Sequence, residues 1–161
     1  MTDYLKKNFF INLLIIIIIF SFDRISKFYV IFKSETILSS GLYTSKFLNI
    51  NLIWNEGIAF GLFSFQQKMY YNILTTVIIV ITLIILWMIT RTKGLERLAF
   101  IMIFSGSLGN IFDRLFYSAV PDFIDFHIKS FHWFIFNVAD IFITIGVIIL
   151  IYFELFLKKK I

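Results

Sequence analysis

The sequence predicts an α-helical integral membrane protein with four transmembrane helices and a small β-containing outer domain formed by the loop after the first span. Three observations carry this. Hydrophobic residues make up 60% of the 161 residues and charged residues only 16%, whereas soluble domains have about 45–50% apolar and about 25% charged residues. Four long apolar runs divide the chain. The basic residues gather at the ends of those runs. Mean hydropathy is +0.90, which excludes both a soluble globular protein and a disordered one. One proline and seven glycines leave little linker, so residues 1–161 read as a single membrane domain.

The spans are expected at about 8–30, 69–90, 97–114 and 133–157, with outer loops at about 32–68 and 114–132. The second run has 22 residues without a charge and covers about 33 Å as a helix, enough for the hydrocarbon core. The first and third runs, 9–22 and 98–112, are short. They must carry the polar residues that follow them into the membrane. The first run resembles a signal peptide, but Asp23-Arg24 stands where a small-residue cleavage site would, which predicts an uncleaved anchor. Lys6, Lys7, Arg91, Lys93, Arg97 and Lys158–Lys160 fall on one side and scattered lysines on the other. The dense side, with both termini, is expected in the cytoplasm. That placement accounts for the net charge of +5 without a nucleic-acid partner.

Residues 48–54 mostly alternate and predict a short strand, and Asn55-Glu56-Gly57 a turn. Residues 58–65 are apolar and expected at the interface. The second outer loop is available as a partner strand. Pro121 lacks a backbone N–H, so any strand through it is expected to be short or at an edge.

Ionisable residues inside spans are costly and therefore informative. Asp23 lies 16 residues past Lys7, Asp113 16 past Arg97 and Asp140 18 before Lys158. These are axial distances of about 24, 24 and 27 Å, so three carboxylates on three helices reach one level. Asn110, Arg114 and Asn137 lie within a turn of them, and Asp122 and Asp125 lie in a loop able to fold onto that level. Gly106, Asn110 and Asp113 share one helix face, and Asn137, Asp140 and Thr144 another. Ser105 and Gly109 permit close helix packing. A purely structural reading pairs Asp23 with Lys27 and Asp113 with Arg114, while Asp140 has no cation within a turn. Glu154 reads as an end-of-helix pair with Lys158. His127 and His132, five apart, make no metal-ligand spacing. No cysteine is present, which removes disulfides, thiolate nucleophiles and Cys-ligated metals.

Five stretches together resemble the lipoprotein signal peptidases, or signal peptidase II, a family of bacterial membrane aspartyl endopeptidases with four spans. They are Asp23-Arg24-Ile25-Ser26-Lys27, Asn55-Glu56-Gly57-Ile58-Ala59-Phe60-Gly61, Gly109-Asn110-Ile111-Phe112-Asp113-Arg114, Asp122-Phe123-Ile124-Asp125, and Phe136-Asn137-Val138-Ala139-Asp140. Ser107-Leu108 and Pro121 depart from the usual pattern without removing a catalytic group. The resemblance implies a catalytic pair at Asp122 and Asp140. It implies site-supporting roles for Asp23, Lys27, Asn55, Gly57, Asn110, Asp113, Arg114 and Asn137, and neither metal nor cofactor. It further implies removal of signal peptides from diacylglyceryl-modified prolipoproteins by a monomer in the bacterial cytoplasmic (inner) membrane. Its partners would be lipidated substrate and membrane lipid, with the active site near the outer face. Two other classes suit four spans with buried carboxylates: a small proton-coupled transporter and a non-catalytic assembly subunit. The first wants ionisable groups near the midplane and does not account for the structured outer loop.

Reporter fusions at Ser45 and Ser118 should be external and one after Ile161 internal. An internal signal at Ser45 would overturn the span assignment and the common-depth argument with it.

Overall fold

The computed structural model describes residues 2–36, 41–57, 68–129 and 131–157. The interfacial stretch expected at 58–65 and the basic end at Lys158–Lys160, including the partner assigned to Glu154, lie outside the described residues. Helix α1 spans Thr2–Thr36, α2 Lys68–Arg91, α3 Gly94–Tyr117 and α4 Val138–Tyr152, the last running into a π-helical turn at Phe153–Leu157. All four are long and apolar enough to cross a membrane. Large apolar side chains such as Ile81 and Ile84 on α2 and Ile148 and Ile151 on α4 are more than half exposed or nearly so. That outward surface suits lipid and would be untenable in water.

Half of the apolar window of α3 is buried, against 6–17% for the other helices. It is the central helix, in contact with α1, α2 and α4. Its small residues allow this. A Cβ at Gly106 would lie 2.5 Å from the Ala139 carbonyl oxygen, and one at Gly109 would lie 2.6 Å from Asp23 Oδ2. Ile89, Ile101 and Phe104 form a buried cluster between α2 and α3, with Ile15 and Ile16 of α1 packed against it.

Four strands form one antiparallel sheet in the order β1-β2-β3-β4: Tyr43–Thr44, Leu48–Asn55, Val120–Ile128 and Phe131–Phe136. The strand expected in the first outer loop is β2. Its broken alternation shows as a register shift against β3 between Ile50 and Ile53, the signature of a bulge. The second outer loop supplies two strands rather than one. Residues 133–136 belong to β4, so the fourth helix starts at Val138, not at 133. An apolar run cannot by itself distinguish a strand from a helix. The Asn137 N-cap marks the change.

The expectation for Pro121 does not hold. Strand β3 has nine residues and lies inside the sheet. Pro121 is tolerated because it is the second residue of the strand and faces only Trp54 of β2, while pairing with β4 begins at Ile124. The missing N–H therefore breaks no ladder on that side. Phe123 from the sheet, Val30 from α1 and Val138 from α4 form the buried cluster that seats the sheet on the helices.

Gly106→Ala should push α3 from α4 and cost about 1–3 kcal/mol by overpacking, read as a lower unfolding midpoint in detergent than wild type or Ser107→Ala. An unchanged midpoint would mean that the close approach at Ala139 does not constrain the fold.

Candidate active site

Helix α1 carries Asp23, Arg24 and Lys27 over little more than one turn, and α3 carries Asp113. All four meet in the interior. Lys27 Nζ donates to Asp113 Oδ2 at 2.6 Å and to Asn110 Oδ1 at 2.9 Å, and forms an ion pair with Asp23 Oδ1 at 3.0 Å. Arg24 reaches Asp113 through Nη1 at 2.5 Å and Asp23 through Nη2 at 2.6 Å, and Nη2 also donates to the Gly109 carbonyl at 3.1 Å. Its guanidinium lies 4.9 Å from the centre of the Phe112 ring. Asp23 and Asp113 are fully buried and Lys27 nearly so. Two carboxylates and two cations cancel, which makes the burial tolerable.

Asp23 has a further partner. Its Oδ1 accepts from the Ala139 N–H at 3.0 Å. A carboxylate from α1 thus caps an open amide in the first turn of α4, where the helix dipole favours negative charge. Asp23 pairs with Lys27 as the sequence suggested. Asp113 does not pair with Arg114; it bonds Arg24 and Lys27 instead. Arg114 points elsewhere, its Nη1 donating to the Asn110 carbonyl and its Nη2 to the Gly57 carbonyl, both at 3.2 Å. On a helix, successive residues face different ways, and here Asp113 and Arg114 serve different neighbours.

The other two carboxylates are joined through asparagines. Asp140 Oδ1 accepts from Asn110 Nδ2 at 2.8 Å. Its Oδ2 accepts from the Asn137 backbone N–H at 3.1 Å, while Asp140 N–H donates to Asn137 Oδ1 at 3.2 Å. This reciprocal pair is the capping box of α4. The Asn137 amide also donates through Nδ2 to Asp122 Oδ1 at 2.6 Å. Asn137 is completely buried and bridges the two carboxylates. Asp122 sits near the start of β3, and its Oδ2 accepts from Asn55 Nδ2 at 2.8 Å across the sheet. Asn55 Oδ1 in turn holds the Gly57 N–H at 2.9 Å. Burial, and next to it the Asp140 carboxylate, push the Asp122 carboxyl from 3.8 up to about 6; the Asn55 and Asn137 hydrogen bonds pull the other way without prevailing.

Every supporting residue expected from the sequence therefore falls in one connected network with Asp122 and Asp140. Asp125 does not join it; its carboxylate meets His132 and Asn49 instead. One participant and one neighbour of the network were missed. Arg24 completes the charge balance of the buried cluster, and a count of charges at that depth, two aspartates against Lys27 alone, could have found it. Tyr71 of α2 is buried, and among the described residues neither its hydroxyl nor Arg114 Nε has a hydrogen-bond partner. No pattern in the sequence marks Tyr71.

Comparison with known proteins places this arrangement. Residues 15–156 match the family model for signal peptidase (SPase) II. The chain is 50% identical to a lipoprotein signal peptidase of Pelagibacter ubique, over 96% of this chain and 93% of that one. It is 38% identical to one from Anaplasma phagocytophilum, over 90% and 92%. Two solved structures of bacterial membrane enzymes determined by the in meso method are similar. One has 33% identity and a TM-score of 0.69 over 89% of this chain and 86% of that one; the other has 34% and 0.67 over 90% and 92%. The family match takes in both carboxylates and every residue that joins them, and the chain belongs to the signal peptidase II family.

Proposed function

We propose that the chain is an aspartyl endopeptidase that removes signal peptides from diacylglyceryl-modified prolipoproteins, cutting just before the lipidated cysteine. The observation that carries this reading is the pair of carboxylates, Asp122 from the sheet and Asp140 from the first turn of α4, bridged by the buried Asn137. Two neighbouring carboxyls withdrawn from water share one proton more readily than they both ionise. The ionised one takes a proton from water as the water oxygen attacks the scissile carbonyl carbon. The protonated one donates to the carbonyl oxygen. When the tetrahedral diol collapses, the C–N bond breaks and a proton from the pair goes to the leaving amine. The Tyr71 hydroxyl and Arg114 Nε, without partners among the described residues, are buried donors for backbone or ester carbonyls of the substrate.

Both termini and the Arg91–Arg97 connection face the cytoplasm in this reading, which puts the sheet and the carboxylate pair at the outer face. The substrate enters from the membrane as a signal helix. The lipid on its cysteine holds the scissile bond at the depth of the pair, and one chain suffices. A proton-coupled transporter finds no support: Asp122 is held by a strand rather than by a span, so the pair is no relay across the bundle.

The test is cleavage of a lipidated precursor by purified protein in detergent, seen as a gel shift, with unlipidated precursor cut slowly or not at all. Asp122→Asn and Asp140→Asn should each lower the rate by at least about 100-fold, the scale of general acid–base catalysis, while the protein still inserts. Near wild-type cleavage by Asp140→Asn would defeat the mechanism.

The pH dependence follows from the raised Asp122 carboxyl. A carboxyl at about 6 holds its proton below that pH and loses it above. As pH rises through about 6, kcat/KM should decline as the pair loses its only proton, and it should decline again at low pH when the second carboxyl is protonated. A kcat/KM profile flat from about pH 5 to about pH 8 would contradict a shared-proton pair.

A further inference from the structure

Asp125, left out of the carboxylate pair, belongs to a second cluster on the β3–β4 hairpin. Asp125 and His127 are two apart on β3, and His132 of β4 is the cross-strand partner of His127. The strands are joined by a two-residue connection, with Ile128 paired to Phe131 and Lys129 at φ 57, which pins the register. The two histidines, whose spacing in the sequence suggests no metal, are thereby brought together. One ligating atom from each of Asp125, His127 and His132 lies within 4.8 Å of the other two. His132 Nδ1 is 2.9 Å from both Asp125 oxygens, and the His rings stack with centroids 5.0 Å apart. Asn49 Nδ2 donates to Asp125 Oδ2 at 3.2 Å and orients the carboxylate.

A simple His132–Asp125 pair explains part of this, but not His127. Its Nδ1 is buried with no hydrogen-bond partner among the described residues, and a buried polar nitrogen ordinarily has one. The geometry points to a divalent transition-metal site of the zinc class, with Asp125, His127 and His132 as ligands. Imidazole and carboxylate donors suit zinc, whereas calcium and magnesium take oxygen-only sets. Ligands about 2.0–2.2 Å from a shared zinc lie roughly 3.3 Å from one another, so the widest separation in the cluster has to close by up to about 1.5 Å. His132, 52% exposed, has the room to turn, and its exposure leaves a fourth position to water. Bound zinc clips β3 to β4, the hairpin that carries Asp122 at one end and leads into Asn137 at the other.

The test uses the full-length chain without a polyhistidine tag, in detergent, titrated with zinc against a chromophoric chelator. One equivalent should bind. His127→Ala and His132→Ala should each weaken it by at least about 100-fold, and Asn49→Ala less, by about 10-fold, as for a residue that orients a ligand. Zinc should raise the unfolding midpoint of wild type, since it binds only the folded hairpin, and leave that of His127→Ala/His132→Ala unmoved. The absence of a saturable equivalent, or equal binding by the double variant, would overturn the site. Neither histidine touches the carboxylate pair, so that failure would leave the peptidase reading standing, and loss of cleavage in Asp140→Asn says nothing of zinc.

Discussion

The four-charge cluster of Asp23, Arg24, Lys27 and Asp113 is the constraint on which the rest of the structure depends. Burying any one of these groups alone would cost several kcal/mol. Together they are neutral, and each carboxylate oxygen has a donor. The cluster also sets geometry. It joins α1 to α3 directly and α4 through the Ala139 N–H, so the first turn of α4, with Asp140 in it, cannot move without breaking a charge-assisted bond. Removing one partner leaves an uncompensated buried charge, which typically costs about 3–5 kcal/mol. Gly109 is part of the same device, because a side chain there would occupy the space of Asp23 Oδ2.

Asparagine separates this cluster from the Asp122–Asp140 pair, and the choice has a chemical consequence. Asn110 accepts from Lys27 with its oxygen and donates to Asp140 with its nitrogen. It transmits position but not charge. Among the described residues, no Lys or Arg is hydrogen-bonded to Asp122 or Asp140. A cation bonded there would favour the ionised form of both carboxylates. Asn137 and Asn55 continue the same logic on the side of the sheet, fixing Asp122 with neutral donors. Four charges give the rigidity and three amides deliver it to the site.

The site is also assembled from unlike parts. Asp140 rests on a helix held by buried charge, while Asp122 rests on a strand whose neighbours are a bulged β2 and a hairpin. The sheet reaches the helices through the small cluster of Val30, Phe123 and Val138. The position of the sheet on the helices therefore sets the strand side of the pair. A clip across β3 and β4 would act on that side.

Much of this was determined by the sequence by itself. Apolar runs bounded by charge define four helices, because lipid admits only backbone that satisfies its own hydrogen bonds. Helical rise places Asp23, Asp113 and Asp140 at one level, and five motifs in register mark the family. What only the tertiary structure decided are the matters of direction and partnership. Periodicity does not say where an apolar run turns from strand to helix, so the change at Asn137 rests on its capping box and on the pairing of residues 131–136 with β3. Sequence adjacency suggested Arg114 as the partner of Asp113, yet neighbouring residues on a helix diverge by about 100°, and Arg24 and Lys27 of another helix take that place. Asp122 and Asp125 are three apart in one loop, and depth alone does not separate them. The pleat turns residues an odd number apart to opposite faces, sending one to Asn137 and the other to His132.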